Sequence, residues 1–182
     1  LWMYRGGKFL TPNGRAQMIP AEWRPPFDLV DEQFPLILST VREVGHYSCR
    51  SMTGNCSALA TLADEPGFAQ INPIDAETYG IKDQELIWVE GRRGKVITRA
   101  YVTERTNRGA IYMTYQWWIG ACNELTVEHL DPYAKTPEYK YSAVRIEKID
   151  DQQWAEKYLA EEYHKLKSRL AEANDNVLQP AA

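Results

Sequence analysis

Between Leu38 and Cys56 the sequence LSTVREVGHYSCRSMTGNC concentrates side chains that bind rather than pack. Hydroxyls at Ser39, Thr40, Tyr47, Ser48, Ser51 and Thr53, guanidinium groups at Arg42 and Arg50, the Glu43 carboxylate and the His46 imidazole are gathered around Gly45. Hydroxyls and backbone N–H groups give directed hydrogen bonds, and arginines give the stronger charge-assisted kind. The stretch follows an apolar run (Phe34, Leu36, Ile37, Leu38). It therefore reads as a strand that opens into a loop suited to a large, polar, anionic ligand. An ordinary polar surface loop is the plainer reading of the same residues.

Two later stretches offer similar chemistry. AIYMTYQWWIGACNELT (110–126) carries an apolar strand into Tyr115 and Gln116, and the Gln116 amide brings both a donor and an acceptor to a heterocycle edge. It then reaches Asn123 in NELT, a residue type that also favours helix caps. LDPYAKTPEYKYSAVRIE (130–147) presents Tyr139 and Lys140 just before a strand, where Lys140 could equally be a solvated surface lysine. Trp117 and Trp118 read as core or domain-interface packing rather than as a stacking platform. Cys49, Cys56 and His46 are spaced too loosely for a four-ligand metal site. His129 and His164 read as surface residues. No nucleophile–base–orienter set and no glycine-rich phosphate loop occurs.

These three stretches, in this order, resemble the cofactor-facing segments in the C-terminal domain of molybdenum formate dehydrogenases. The likeness is nearest to the large subunit of the formate-hydrogenlyase type. TPNGRAQMIPAEWRPP (11–26) resembles the connector leading into that domain, and the likeness runs from Thr11 to the end of the last helix. Three separated motifs in order are harder to match by accident than one short pattern. The resemblance implies a double-psi β-barrel. It also implies a bis(molybdopterin guanine dinucleotide) cofactor carrying Mo or W. The contacts it implies are Thr40, Arg42, Glu43, His46, Tyr47, Ser48, Tyr115, Gln116, Asn123, Tyr139 and Lys140, with Arg50 and Ser51 ranked behind them. Glu43 would accept from pterin or guanine N–H groups, and Lys140 would face phosphate or a pterin carbonyl.

In such enzymes the metal's cysteine or selenocysteine ligand, the 4Fe-4S cluster and the arginine and histidine beside formate lie in other domains. No catalytic residue is therefore expected in this chain, and alone it should be inactive. The implied parent oxidises formate to CO₂ and passes two electrons to an iron–sulfur cluster. The implied partners are the remaining domains of the same subunit, with an electron-transfer iron–sulfur protein or hydrogenase subunits. A nitrate-reductase-like relative is the alternative within the class, and a stand-alone barrel used for binding or assembly is the alternative outside it.

Composition sets the frame. A chain of 182 residues, 44% hydrophobic and 25% charged, suits one globular domain. A net charge of −4 and no lysine–arginine cluster argue against nucleic acid as partner. No apolar run approaches the ~18 residues of a membrane span, and no signal-peptide core stands at the start, so direct membrane insertion is not expected. Three cysteines with no C-x-x-C pair fit free thiols in a reducing, cytoplasmic setting. A chain that opens on Leu1 reads as a piece of something longer.

The elements that must position these residues follow from periodicity and breakers. Residues 1–33, broken by Pro12, Pro20, Pro25 and Pro26, read as an extended arm, which the resemblance makes a connector from a preceding domain. Residues 34–150 read as a domain that is mainly β with short helices, which the resemblance makes the cofactor-binding barrel. Within it a strand at 34–41 is followed by a short helix at SALATLAD, stopped by EPG, and a strand at FAQIN. PIDAETYG reads as a helix opened by Pro73 and stopped by Gly80. ELIWVEGRRGKVITRAYVTE is a hairpin with a GRRG turn, and GAIYMTY and YSAVRIE are strands. Trp154, Tyr158, Leu159, Leu166 and Leu170 recur at helical spacing over 151–173, and 174–182 reads as a frayed tail.

Overall fold

A computed structural model describes residues 3–63 and 65–178. Its strands are β1 (Leu36–Val41), β2 (Phe68–Ile71), β3 (Leu86–Gly91), β4 (Gly94–Val102), β5 (Ala110–Thr114) and β6 (Ser142–Lys148). Its helices are α1 (Ser57–Ala60), α2 (Pro73–Thr78) and α3 (Gln152–Leu178), with single 3₁₀ turns at Thr53–Asn55 and Cys122–Leu125.

The six strands close into a barrel in the order β1-β5-β2-β4-β3-β6. Exchanging β1 with β4, β2 with β5 and β3 with β6 maps the set of pairings in that order onto itself. The two parallel pairs, β1–β5 and β2–β4, are exchanged by the same operation. This is the double-psi β-barrel, and closure leaves no strand edge to pair with another chain. Period-two alternation fills the interior. In β1, Leu36, Leu38 and Thr40 are buried and their neighbours only partly so. Leu36 and Leu38 meet Ile71, Ile87, Val89, Ile111, Met113 and Val144 in one cluster, where full burial of each large aliphatic side chain contributes roughly 1.5–3 kcal/mol.

Local chemistry explains the boundaries. The β3–β4 register pairs Gly91 with Gly94, so Arg92 and Arg93 alone form the turn. The Asn72 side chain accepts from the Ile74 N–H at 3.0 Å and caps α2, with Pro73 in its first turn. Helix α1 stops at Ala60, four residues earlier than the expected 57–64 segment, whose last residue lies outside the described set. Helix α3 docks through Ala155 and Leu159 on Leu86, Ile97 and Ile149. The Gln152 amide both accepts from the Leu86 N–H and donates to the Leu86 carbonyl, which fixes the first turn of α3 on β3. The helix continues to Leu178, so residues 174–178 of the expected tail are helical, and 179–182 lie outside the described residues. No glycine or proline precedes Pro180 to stop it. No helix among the described residues is long and apolar enough to cross a membrane.

Direction decides what meets at the barrel's ends. β1 and β5 run parallel, so the loops that follow them leave from the same end. β6 runs antiparallel to β1, so the residues before it enter at that end too. The three motif-bearing segments thus converge.

Candidate functional site

The convergence is held by direct bonds between the segments. Thr40 Oγ1 donates to the Tyr139 carbonyl at 3.0 Å, and Lys140 Nζ donates to the Thr40 carbonyl. The Tyr115 N–H donates to the Val41 carbonyl at 3.2 Å. Asn123 follows on the 3₁₀ turn Cys122–Leu125. Thr40, Tyr115, Asn123, Tyr139 and Lys140 together line a concavity of about 320 Å³. Asn123 and Tyr139 also border a wider depression of about 680 Å³ that reaches Arg93, and Tyr139 and Lys140 border one of about 700 Å³ that reaches Trp23 and Arg24. The narrow part holds an ammonium, a carboxamide, a hydroxyl and two phenols, and no carboxylate lines it. That donor set suits an anionic ligand with heterocyclic edges.

The loop after β1 is arranged differently. Arg42 is exposed, with its guanidinium 5.8 Å from the centroid of the half-exposed Tyr47 ring. Ser48 (φ +45°) and Arg50 (φ +63°) sit in the left-handed region, which disfavours side-chain-bearing residues. What sustains this shape is an inner frame. His46 is only 2% exposed, and its Nδ1 lies 3.0 Å from Thr53 Oγ1 and its Nε2 2.9 Å from the Ala63 carbonyl. Both ring nitrogens thus find partners within the fold, and His46 is not among the residues lining the Lys140 concavity. Gln116 is buried as well. Its Nε2 donates to the Glu43 carbonyl at 3.2 Å, while its Oε1 has no partner among the described residues. Glu43 lines a second concavity, of about 240 Å³, with Arg99, Tyr101 and Trp117. Burial pushes its carboxyl above the usual range, and the nearby His46 offsets this in part.

The frame also depends on a residue that the sequence reading passed over. The Glu65 carboxylate, 1% exposed, accepts from the Trp118 N–H and the Ile119 N–H at 3.0 Å and is ion-paired with Arg50. Arg50 in turn donates from Nε to the Gln116 carbonyl at 3.0 Å and lies 4.5 Å over the Trp117 ring. The two tryptophans are thereby separated: Trp117 is buried and Trp118 is 56% exposed. Gly67 is required beneath them, since its φ is +72° and a Cβ there would stand 1.9 Å from Trp117 Nε1. In the sequence, Glu65 appears only as the first letter of a helix-stopping EPG. Its one signal was a carboxylate next to a proline and glycine that no surface turn required.

Cys122 lies just behind Asn123. Burial pushes its thiol up to about 12, with Lys140 opposing the shift. Cys49 and Cys56 are exposed, and all three cysteines are free thiols.

One end of the barrel gathers three polar segments around one concavity, and this chain belongs to the Molydopterin dinucleotide binding domain family, matched over residues 36–143. Among its relatives, formate dehydrogenase H of Escherichia coli (strain K12) is 65% identical over 166 residues, covering 91% of this chain and 23% of that protein. F420-dependent formate dehydrogenase 2 subunit alpha of Methanococcus maripaludis is 42% identical, covering 78% of this chain and 21% of that one. The assimilatory nitrate reductase catalytic subunit of Bacillus subtilis (strain 168) is more distant, 33% identical over 76% of the chain. The chain spans less than a quarter of each of these proteins. Acetylene hydratase from Pelobacter acetylenicus shares the fold, with a TM-score of 0.55 over 64% of this chain at 22% identity.

The residues present fit a molybdopterin dinucleotide. Lys140 would supply charge for phosphate and Asn123 and Tyr139 would supply edges for a heterocycle, and Gln116 Oε1 is a buried acceptor with no partner among the described residues.

Proposed function

We propose that this chain closes over one face of a bis(molybdopterin guanine dinucleotide) carrying Mo or W in a formate dehydrogenase large subunit. When bound, the cofactor supplies the two-electron redox centre. The chain's own residues bind and orient it. Lys140, held by the Thr40 carbonyl, offers its remaining ammonium protons to phosphate or a pterin carbonyl. Tyr115, Asn123 and Tyr139 line the same concavity. Arg42, Tyr47 and Ser48, on the loop that follows β1, would meet the cofactor outside this concavity. Glu43, His46 and Gln116 shape that loop from within, and Gln116 Oε1 has no partner among the described residues.

The observation that carries this reading is the convergence of Thr40, Tyr115, Asn123, Tyr139 and Lys140 on one concavity from three separated segments. Packing a barrel does not require it. The parent reaction we assign is oxidation of formate to CO₂, with electrons leaving through a 4Fe-4S cluster in other domains of the same subunit, towards an iron–sulfur or hydrogenase partner in the cytoplasm. The 65% identity to a formate dehydrogenase supports this over nitrate reduction.

Lys140→Ala and Asn123→Ala in the full-length subunit test it, with metal and acid-released guanine nucleotide measured per folded polypeptide. A charge-assisted hydrogen bond of about 1.5–3 kcal/mol corresponds to roughly 10–100-fold in affinity, so Lys140→Ala should lower occupancy clearly. Wild-type content in both variants would overturn the site. The 182-residue chain by itself should show no formate-dependent dye reduction, and turnover by it would overturn the assignment of catalysis to other domains.

A further inference from the structure

The connector before the barrel carries one carboxylate that is not at its surface. Asp28 has only 4% of its side chain exposed, although it stands in a segment with no strand or helix. Three donors from two other parts of the chain end on it. Arg92 donates to Oδ1, Arg93 donates to Oδ2 at 2.5 Å, and the Ala143 N–H donates to Oδ2 at 3.0 Å. Burial by itself would raise this carboxyl, but the Arg93 bond, the Ala143 N–H and the charges of both arginines hold it below the usual range. The carboxylate is therefore charged, and its lone pairs are committed.

What Asp28 holds matters more than that it is held. Arg93, from the two-residue β3–β4 turn, also donates through Nε and Nη2 to the Leu125 carbonyl at 3.1 and 2.8 Å. Leu125 lies two residues beyond Asn123 on the same 3₁₀ turn, and Ala143 lies three residues beyond Lys140. One carboxylate thus joins the Asn123 turn and the Lys140 strand through a single intervening guanidinium. Arg93 lines the wider depression together with Asn123 and Tyr139, so the link runs along the wall of the site.

Neighbouring residues of the connector reinforce the geometry. Asp31 holds Arg92 at 2.5 Å, and Arg92 also donates to the Leu29 carbonyl. The Phe27 N–H donates to Glu138 Oε2 at 3.1 Å, and the Phe27 ring stacks on His129, which in turn lies 2.8 Å from Glu138 Oε1. Residues 27–31 cross from Glu138, next to Tyr139, to the arginine turn. Buried ion pairs often add little net stability compared with apolar residues of the same volume, whereas removing one partner leaves a buried charge unpaired.

We propose that Asp28 is a positioning residue for the cofactor site, fixing the separation of Asn123 from Lys140 and Tyr139 through Arg93 and the Ala143 N–H. This rests on the reading that those residues face the cofactor.

Asp28→Asn, Asp28→Ala and the control Leu159→Ala, which cuts the α3 contact instead, test it by two measurements. Amide hydrogen exchange on the ligand-free chain reads the clamp without any cofactor. In Asp28→Ala, exchange over 123–127 and 138–143 should quicken by about tenfold or more, while β2 and β5 amides keep their rates, with Asp28→Asn intermediate. In the full-length subunit, metal and guanine nucleotide per folded polypeptide should fall for Asp28→Ala and stay near wild type for Leu159→Ala. Unchanged exchange in both segments overturns the proposal, and so does a uniform rise across the barrel. Local loosening with full cofactor content overturns the link to the cofactor. Failure of the underlying site reading shows separately, as full cofactor content in Lys140→Ala.

Discussion

Removing Glu65 should weaken the barrel and loosen two site loops at once. Its carboxylate, 1% exposed, takes the Trp118 and Ile119 N–H groups and the Arg50 guanidinium. In Glu65→Ala the Arg50 side chain, 12% exposed, keeps its Gln116 carbonyl and loses the carboxylate. Breaking a buried ion pair from one side costs about 3–5 kcal/mol, and an unmet buried N–H costs about 1–3 kcal/mol. These overlap, because one group serves all three donors, so a total of about 4 kcal/mol is the working figure. For a chain of this size 1 kcal/mol moves Tm by about 2–4 °C, which gives a fall of about 8–16 °C. Glu65→Gln keeps an acceptor for the backbone and loses the charge, at about 2 kcal/mol or half that shift. Replacing both members by apolar residues, Arg50→Met with Glu65→Leu, should recover part of the loss. Thermal unfolding can be followed by circular dichroism and by tryptophan fluorescence, since Trp117 lies directly under Arg50. A change below about 0.5 kcal/mol for Glu65→Ala, the range of ordinary surface substitutions, would refute the account of Glu65 as the joint between the loops.

Two further outcomes follow from titration. The exposed Cys49 thiol is drawn below its usual range by hydrogen bonds from the Ser51 backbone and side chain, whereas burial raises Cys122 to about 12. The thiolate is the reactive form, so iodoacetamide at pH 8 should label Cys49 rapidly and Cys122 only on unfolding, as mass spectrometry of timed quenches can check. The folded fold also holds the Asp28 and Glu138 carboxyls below their ordinary values. A depressed folded pKa contributes stability above the unfolded value of about 4 and loses it as pH falls through the folded one. Urea unfolding between pH 5 and 2 should show that decline, and Asp28→Asn should make it shallower. Glu43 has the opposite sign, since its raised carboxyl favours the protonated fold, so Glu43→Gln should gain stability relative to wild type as pH rises above the unfolded value of about 4.

The difference between what was legible in the residues and what was not is physical. Strands were legible because each follows a period of two or a solid apolar run, and the GRRG turn announced its hairpin by flanking glycines. Their closure was not, because β1 pairs with β5 across some 70 residues and β2 with β4 in parallel, and such pairing leaves no local mark. The double-psi topology entered through resemblance to a family instead. Among the site residues, Thr40, Tyr115, Asn123, Tyr139 and Lys140 do meet at one concavity. His46 and Gln116 are expected as ligand contacts because their side chains can donate and accept, and the same capacity also holds the buried side of the loop. The imidazole went to Thr53 and Ala63, and half of the carboxamide went to Glu43. The reverse holds for Asp28, Glu65 and Arg93, which look like solvated charges in a proline-rich arm, a helix stop and a turn. A charge buried among committed donors is indistinguishable by sequence from one in water, because its partners lie 15 to 115 positions away. The groups that touch a ligand can therefore be suspected from residue type, while the groups that aim them become visible only when the chain has closed.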